Sequence, residues 1–203
     1  MNALNHIKTK YQLSYGVPMP VILKGIGRHS GIKDVFLELG FRSGAEIGTR
    51  DGNYAEELCQ DLPDLQLYCI DPWKIYKDYQ EVWIKDQKSM DALFKDIKRK
   101  LSKYNCKIIR KTSMEAVKSF KSNSLDFVFI DGNHNYNYVL DDISKWSRVV
   151  RAGGIIFGHD YSQDYSGVIR AVQEYIKNNN IKPWFLLKVG GQADCWMFVK
   201  QDI

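Results

Sequence analysis

Ala45 to Leu58 reads A-E-I-G-T-R-D-G-N-Y-A-E-E-L, and this stretch decides the fold. A short apolar run carries an acid, Glu46, passes through Gly48 and Gly52, and enters a helical pattern over Tyr54 to Leu62. That is a strand, a tight glycine turn and a helix N-terminus, where free backbone N–H groups and the positive helix end hold an anionic or polar ligand. A glycine turn of this kind is common between any strand and helix, so the rest of the chain must say what it serves.

Outward from this turn, strand and helix signals alternate. Short apolar runs bounded by turn residues predict strands at Ala45 to Gly48, Leu65 to Asp71, Cys106 to Lys111, Leu125 to Asp131 and Gly154 to Asp160. Helices are expected between and after them, at about Tyr54 to Leu62, Gln87 to Tyr104, Met114 to Phe120, Tyr138 to Val150 and Val168 to Asn178. The last two bury Val139, Ile143, Trp146 and Val150, and Val168, Val172, Tyr175 and Ile176, at helical spacing. Then the rhythm breaks. Trp184 to Val189 and Cys195 to Lys200 are separated only by Gly-Gly-Gln-Ala-Asp, too short for a crossover helix, so they form an antiparallel hairpin. Residues 1–43 differ in kind: Gly16, Pro18, Pro20, Gly25, Gly27 and Gly31 punctuate them, and only Asp34 to Phe41 is patterned as a short helix. They read as an N-terminal arm or lid before a ligand-binding domain at 44–203.

The 203 residues suffice for one domain with an added arm. A net charge of +5 permits an anionic partner without requiring one, and Lys95, Lys98, Arg99, Lys100 and Lys103 read as the solvated face of the helix whose apolar stripe is Met90, Leu93, Phe94, Ile97, Leu101 and Tyr104. Cys59, Cys69, Cys106 and Cys195 form no C-x-x-C pair and read as thiols in a reducing compartment. No basic leader precedes an apolar run and no eighteen apolar residues occur together, so a cytoplasmic protein with no membrane partner is expected.

This order of elements, with these loop residues, resembles the class I S-adenosylmethionine-dependent methyltransferases over about Asp34 to Lys200. The resemblance implies an α/β, Rossmann-like, seven-stranded and mostly parallel sheet with a C-terminal antiparallel hairpin strand and helices on both faces. It implies S-adenosylmethionine held by Glu46, Gly48, Thr49 and Gly52 on the first turn, by Asp71, Pro72 and Trp73 after the second strand, by Ser113 and Met114 beside the adenine, and by Asp131. Asp71 is matched to the acid that holds the ribose hydroxyls. The run L-D-F-V-F-I-D-G-N-H-N-Y from Leu125, with R-A-G-G-I-I-F-G-H-D-Y from Arg151, looks like the small-molecule and sugar O-methyltransferases related to catechol O-methyltransferases. One departure is Arg50, where the family's loop carries a glycine; its bulk must point away from the methionine moiety or pair with its carboxylate.

The residues support the same assignment by their own chemistry. Glu46, Asp71, Asp131 and Asp160 all fall at carboxyl ends of predicted strands, where open α/β sheets bind ligands. A carboxylate suits a ribose diol, and an acidic edge favours a sulfonium cation over a pyrophosphate. Asp131, His134 and Asp160 are the candidate catalytic residues for O-methylation of a small-molecule or sugar hydroxyl, with His134 as a base. Asp131 and Asp160 are also candidate ligands for Mg2+, although Tyr161 stands where catechol O-methyltransferases place a third oxygen ligand. His159 precedes Asp160 and strand alternation turns it to the other side, while His29 has no partner visible in the sequence.

An adenine-N6 nucleic-acid methyltransferase would carry Asn/Asp-Pro-Pro-aromatic where this chain reads I-D-G-N, and a cytosine-C5 enzyme needs a Pro-Cys pair that is absent. A non-catalytic Rossmann-like binding module would have no use for the whole acidic edge. The methyl acceptor is not legible, because the arm and the loops after Asp71 and Asp160 would shape its pocket. A homo-oligomer is compatible with everything in the sequence.

Overall fold

A computed structural model describes residues 2–14, 16, 18–76, 86–190 and 193–201. In chain order the elements are α1 (Ala3–Lys10), β1 (Val21–Lys24), α2 (Ile32–Glu38), β2 (Ser43–Ile47), α3 (Asn53–Asp61), β3 (Gln66–Asp71), α4 (Gln87–Leu101) and β4 (Cys106–Arg110). They continue as α5 (Ser113–Ala116), β5 (Leu125–Ile130), α6 (Tyr136–Val149), β6 (Val150–Tyr161), α7 (Ser166–Asn178), β7 (Trp184–Lys188) and β8 (Asp194–Val199). One sheet contains every strand, in the order β1-β7-β8-β6-β5-β2-β3-β4. All pairings are parallel except those of β8, which runs antiparallel to both β6 and β7. From β2 the chain winds outward through β3 to β4, then returns to start β5 on the other side of β2. The junction of β2 and β5 is therefore the topological switch point, where such sheets leave a crevice.

Strand alternation distributes the core to two layers. In β5, Phe127 and Phe129 enter one cluster with Phe36, Phe157, Leu58 and Ile97, while Val128 and Ile130 enter another with Val139, Ile143, Trp146 and Val172. α4, α6 and α7 lay their apolar stripes on the sheet at the expected spacing, except that Val150, expected in the fourth helix, is the first residue of β6, and Tyr104 lies beyond the end of α4. Side-chain caps fix three starts: Asn2 accepts from Leu4 N–H at 2.9 Å at α1, the Asp86 side chain accepts from Ser89 N–H at 2.7 Å to open α4, and Thr112 forms a reciprocal capping box with Glu115 at α5. The predicted helix over Met114 to Phe120 is only α5 followed by a 3-10 turn at Val117–Ser119.

The arm is where the sheet departs from seven strands. Its β1 pairs parallel with β7 and adds an eighth strand at the edge. In α2, Phe36 is fully buried and stacks on Phe127 with ring centroids 4.4 Å apart. In α1, Ala3 and Ile7 are fully buried. At ~1.5–3 kcal/mol for each large apolar side chain buried, these contacts make the arm part of the folded core rather than an appendage. Among the described residues no helix is long and apolar enough to cross a membrane. Of the loop after Asp71, residues 77–85 lie outside the described residues.

Candidate active site

At the switch point the ends of β2 and β5 are drawn together by Asp131 N–H donating to Ile47 O at 2.8 Å, while Gly48 N–H donates to Ile70 O of β3 at 2.9 Å. Gly48 has φ +90°, and a Cβ there would lie 2.1 Å from Asp131 O. Only glycine permits this approach. At the turn, Glu46 Oε2 and Thr49 Oγ1 are buried with no well-formed hydrogen bond among the described residues, the Thr49 hydroxyl lying close enough to Glu46 to work against the rise of its carboxyl. Burial pushes the Glu46 carboxyl well above its ordinary value, and the neighbouring Asp131 and Asp71 charges add to the effect.

Asp71, at the end of β3, is oriented by two backbone donors: Arg50 N–H reaches Oδ2 at 3.0 Å and Trp73 N–H reaches Oδ1 at 2.7 Å. Arg50 takes φ +48° and its half-exposed guanidinium lies 3.5 Å from Asp51, so the non-glycine residue is accommodated by turning its side chain outward. Trp73 is placed differently from the other expected cofactor residues. Its ring is fully buried against Phe94, and its indole N–H donates to Arg50 O at 2.9 Å, so it braces the turn from behind. Pro72, beside it, is half-buried. On the adjacent strand end, Ser113 accepts from Trp146 Nε1 at 2.7 Å and donates to the buried Asp142, and Met114 next to it is half-buried.

The acids expected to act on the acceptor converge. Asp131, His134 and Asp160 each offer one ligand atom, all within 4.8 Å of one another. His134 Nε2 is 2.9 Å from Asp160 Oδ2, and His159 Nδ1 is 2.9 Å from Asp160 Oδ1 and 3.9 Å from Asp131 Oδ1. His159 thus joins the cluster, against the expectation from alternation. The pairing of β6 with β8 shifts register between Gly158 and Tyr161, and Asp160 takes φ +58°, so the strand no longer alternates there. Burial alone would raise the Asp160 carboxyl, but its bonds with His134 and His159 hold it well below the usual carboxylate range. Asp131 is raised by burial, opposed by His159 and Arg28 and reinforced by Asp160. Arg28 is the second unforeseen member: its Nη1 donates to Asp131 Oδ2 at 2.6 Å.

Residues 45–161, more than half of the chain, match the family model for a methyltransferase domain. The chain belongs to the methyltransferase family. Solved structures share its fold. A Staphylococcus aureus protein assigned as a caffeoyl-CoA O-methyltransferase is 12% identical with a TM-score of 0.64, over 97% of this chain and 90% of that one. An O-methyltransferase from Bacillus cereus in complex with S-adenosylhomocysteine is 14% identical with a TM-score of 0.62, over 97% and 89%. A Klebsiella pneumoniae protein assigned as an O-methyltransferase is 14% identical with a TM-score of 0.63, over 98% and 90%. Among curated proteins none matches the sequence.

The methyltransferase has polar groups placed to suit S-adenosylmethionine. The buried oxygens of Glu46 and Thr49 lie at the first turn with hydrogen-bonding capacity unused, and Asp71 presents a fixed carboxylate at the second strand end. Two carboxylates and one imidazole also form a chemically sound divalent-cation set. Tyr161 does not complete it. Its hydroxyl accepts from Gln173 Nε2 at 3.0 Å and its ring packs on Trp184, so the set is oxygen and nitrogen, which suits manganese at least as well as magnesium.

Proposed function

We propose that the methyltransferase transfers the methyl group of S-adenosylmethionine to a hydroxyl of a small molecule or sugar, at the cluster of Asp131, His134 and Asp160. The observation that carries this reading is the convergence of a base, His134, and two carboxylates at the switch-point crevice, immediately beside the glycine turn at Gly48. The cofactor supplies an electrophilic methyl on a sulfonium, and S-adenosylhomocysteine is left when it has gone.

Each residue then has a task. Glu46, Thr49 and the Gly48 to Gly52 turn seat the methionine end, Asp71 accepts from the ribose hydroxyls, and Ser113 with Met114 borders the adenine. Asp160, kept ionised by its two histidines, orients His134 as a carboxylate orients a catalytic imidazole. His134 takes the acceptor hydroxyl proton as the oxygen attacks, so the new O–C bond forms while the S–C bond breaks. If a divalent cation occupies the set, His134 is its third ligand instead of the base, and the cation would lower the pKa of that hydroxyl. The test is a tritiated-methyl transfer assay over sugars, catechols, nucleotides and RNA, with calorimetry for S-adenosylmethionine. Label appearing in a sugar or catechol supports the proposal; label only in RNA, or no heat on cofactor addition, sinks it.

A further inference from the structure

The arm carries one motif that the transfer chemistry leaves unused, Gly25-Ile-Gly-Arg-His-Ser-Gly31. The structure makes it a fixed turn. Gly27 and Ser30 exchange backbone bonds at 2.9 and 3.2 Å, Gly25 N–H donates to Lys188 O of β7 at 2.8 Å, and a Cβ on Gly27 would lie 2.6 Å from Val189 Cγ2. The turn carries Arg28 and His29, and the side chains of both are held by partners outside it. Arg28 Nη1 reaches Asp131 Oδ2 at 2.6 Å, and Arg28 Nε donates to His29 Nε2 at 2.9 Å. His29 is held in turn, with Nδ1 2.6 Å from Glu57 Oε2 of α3 and its ring edge-on to Tyr54.

Asp131 is therefore claimed twice. One of its oxygens pairs with a guanidinium delivered by the arm, and the same carboxylate belongs to the three-donor set with His134 and Asp160. A divalent ion in that set would sit a few ångströms from a fixed positive charge, in a part-buried place where water screens little. We propose that Arg28 and a divalent cation are alternative partners of Asp131, so that the arm turn governs whether the acid cluster takes a metal. The inference rests on the cluster being the methyl-transfer centre. It follows by linkage that removing the guanidinium tightens metal binding, and that metal binding loosens the arm turn from Asp131.

The probe is Mn2+, titrated into the full chain and read by electron paramagnetic resonance, for wild type, Arg28→Met, Arg28→Gln and Arg28→Lys. Both uncharged variants should bind Mn2+ roughly tenfold or more tightly than wild type, Arg28→Lys should fall between, and Asp131→Asn in the Arg28→Met background should abolish the gain. Equal affinity in wild type and a folded uncharged variant overturns the competition, and so does a lack of Mn2+ binding in all of them. Having two uncharged variants guards against one that misfolds, which circular dichroism detects. S-adenosylhomocysteine calorimetry on the same samples separates the two levels of argument. Normal cofactor binding with unchanged Mn2+ affinity refutes only the role of Arg28, whereas absent cofactor binding in wild type refutes the reading of the site itself.

Discussion

Trp146 Nε1 donates to Ser113 Oγ across 2.7 Å, and through that hydroxyl the indole is tied to the buried carboxyl of Asp142. Burial pushes the Asp142 carboxyl up to about 7, with the Ser113 bond working against the rise and Asp141 adding to it. Between the ordinary carboxylate value near 4 and this raised one, the folded chain holds a proton that the unfolded chain has released. Folding is therefore favoured less and less as pH climbs from about 4 to 7, and the loss is complete above that.

Asp142→Asn cannot ionise, yet its amide oxygen can still accept from Ser113. Relative to wild type it should gain about 1–3 kcal/mol of stability on going from pH 5 to pH 8. Urea denaturation at the two pH values checks this. Parallel pH dependence of the two proteins would show that Asp142 ionises normally.

Asp71 is expected to weaken cofactor binding when removed, because both its oxygens are already aimed by the Arg50 and Trp73 amides and it can accept from a diol without reorganising. Asp71→Ala should cost about 1–3 kcal/mol of S-adenosylhomocysteine affinity, the loss of a charged acceptor. Isothermal calorimetry measures it, with circular dichroism to confirm folding. An unchanged affinity would place the ribose elsewhere.

The alternation of strands and helices from β2 to β8 was legible because hydrophobic period and turn residues are local signals, and the acids Glu46, Asp71, Asp131 and Asp160 followed from being at strand ends. What was not legible depends on distance or on broken regularity. β1 is four residues, Val-Ile-Leu-Lys, whose partner β7 lies far along the chain, so no local pattern announces the pairing. Arg28 meets Asp131 across 103 residues of sequence. His159 was placed on the wrong side by an alternation rule that holds for β6 only as far as Gly158. The burial of the Trp73 ring against Phe94, with its indole N–H on Arg50 O, is a long-range packing outcome that no local pattern announces.

Gly48→Ala tests the switch point itself. A methyl group would have to share space with Asp131 O, 2.1 Å from the ideal Cβ, at a φ of +90° that L residues avoid. The variant should lose about 2–4 kcal/mol of stability and separate the β2 and β5 ends. Thermal unfolding would show a lowered midpoint, and cofactor affinity should fall with it. A variant with the wild-type midpoint would mean that the two strand ends are free to move apart.

Asp160 and His134 have separable roles in the proposed transfer. Among the described residues Asp160 contacts His134 and His159 and not the glycine turn, which puts its carboxylate charge on the acceptor side of the proposed site. Once an acceptor is known, Asp160→Asn should lower turnover about 100-fold or more while changing S-adenosylmethionine affinity little, because the neutral amide keeps the shape but neither stabilises a protonated His134 nor holds a cation as tightly as a carboxylate. Chelation discriminates between those two consequences. If a divalent cation activates the acceptor, EDTA should abolish activity, and magnesium or manganese should restore it in wild type but not in Asp160→Asn. If His134 works alone, EDTA leaves activity intact and His134→Ala is inactive. A turnover for Asp160→Asn equal to wild type would refute both versions, since each needs the charge of that carboxylate beside His134.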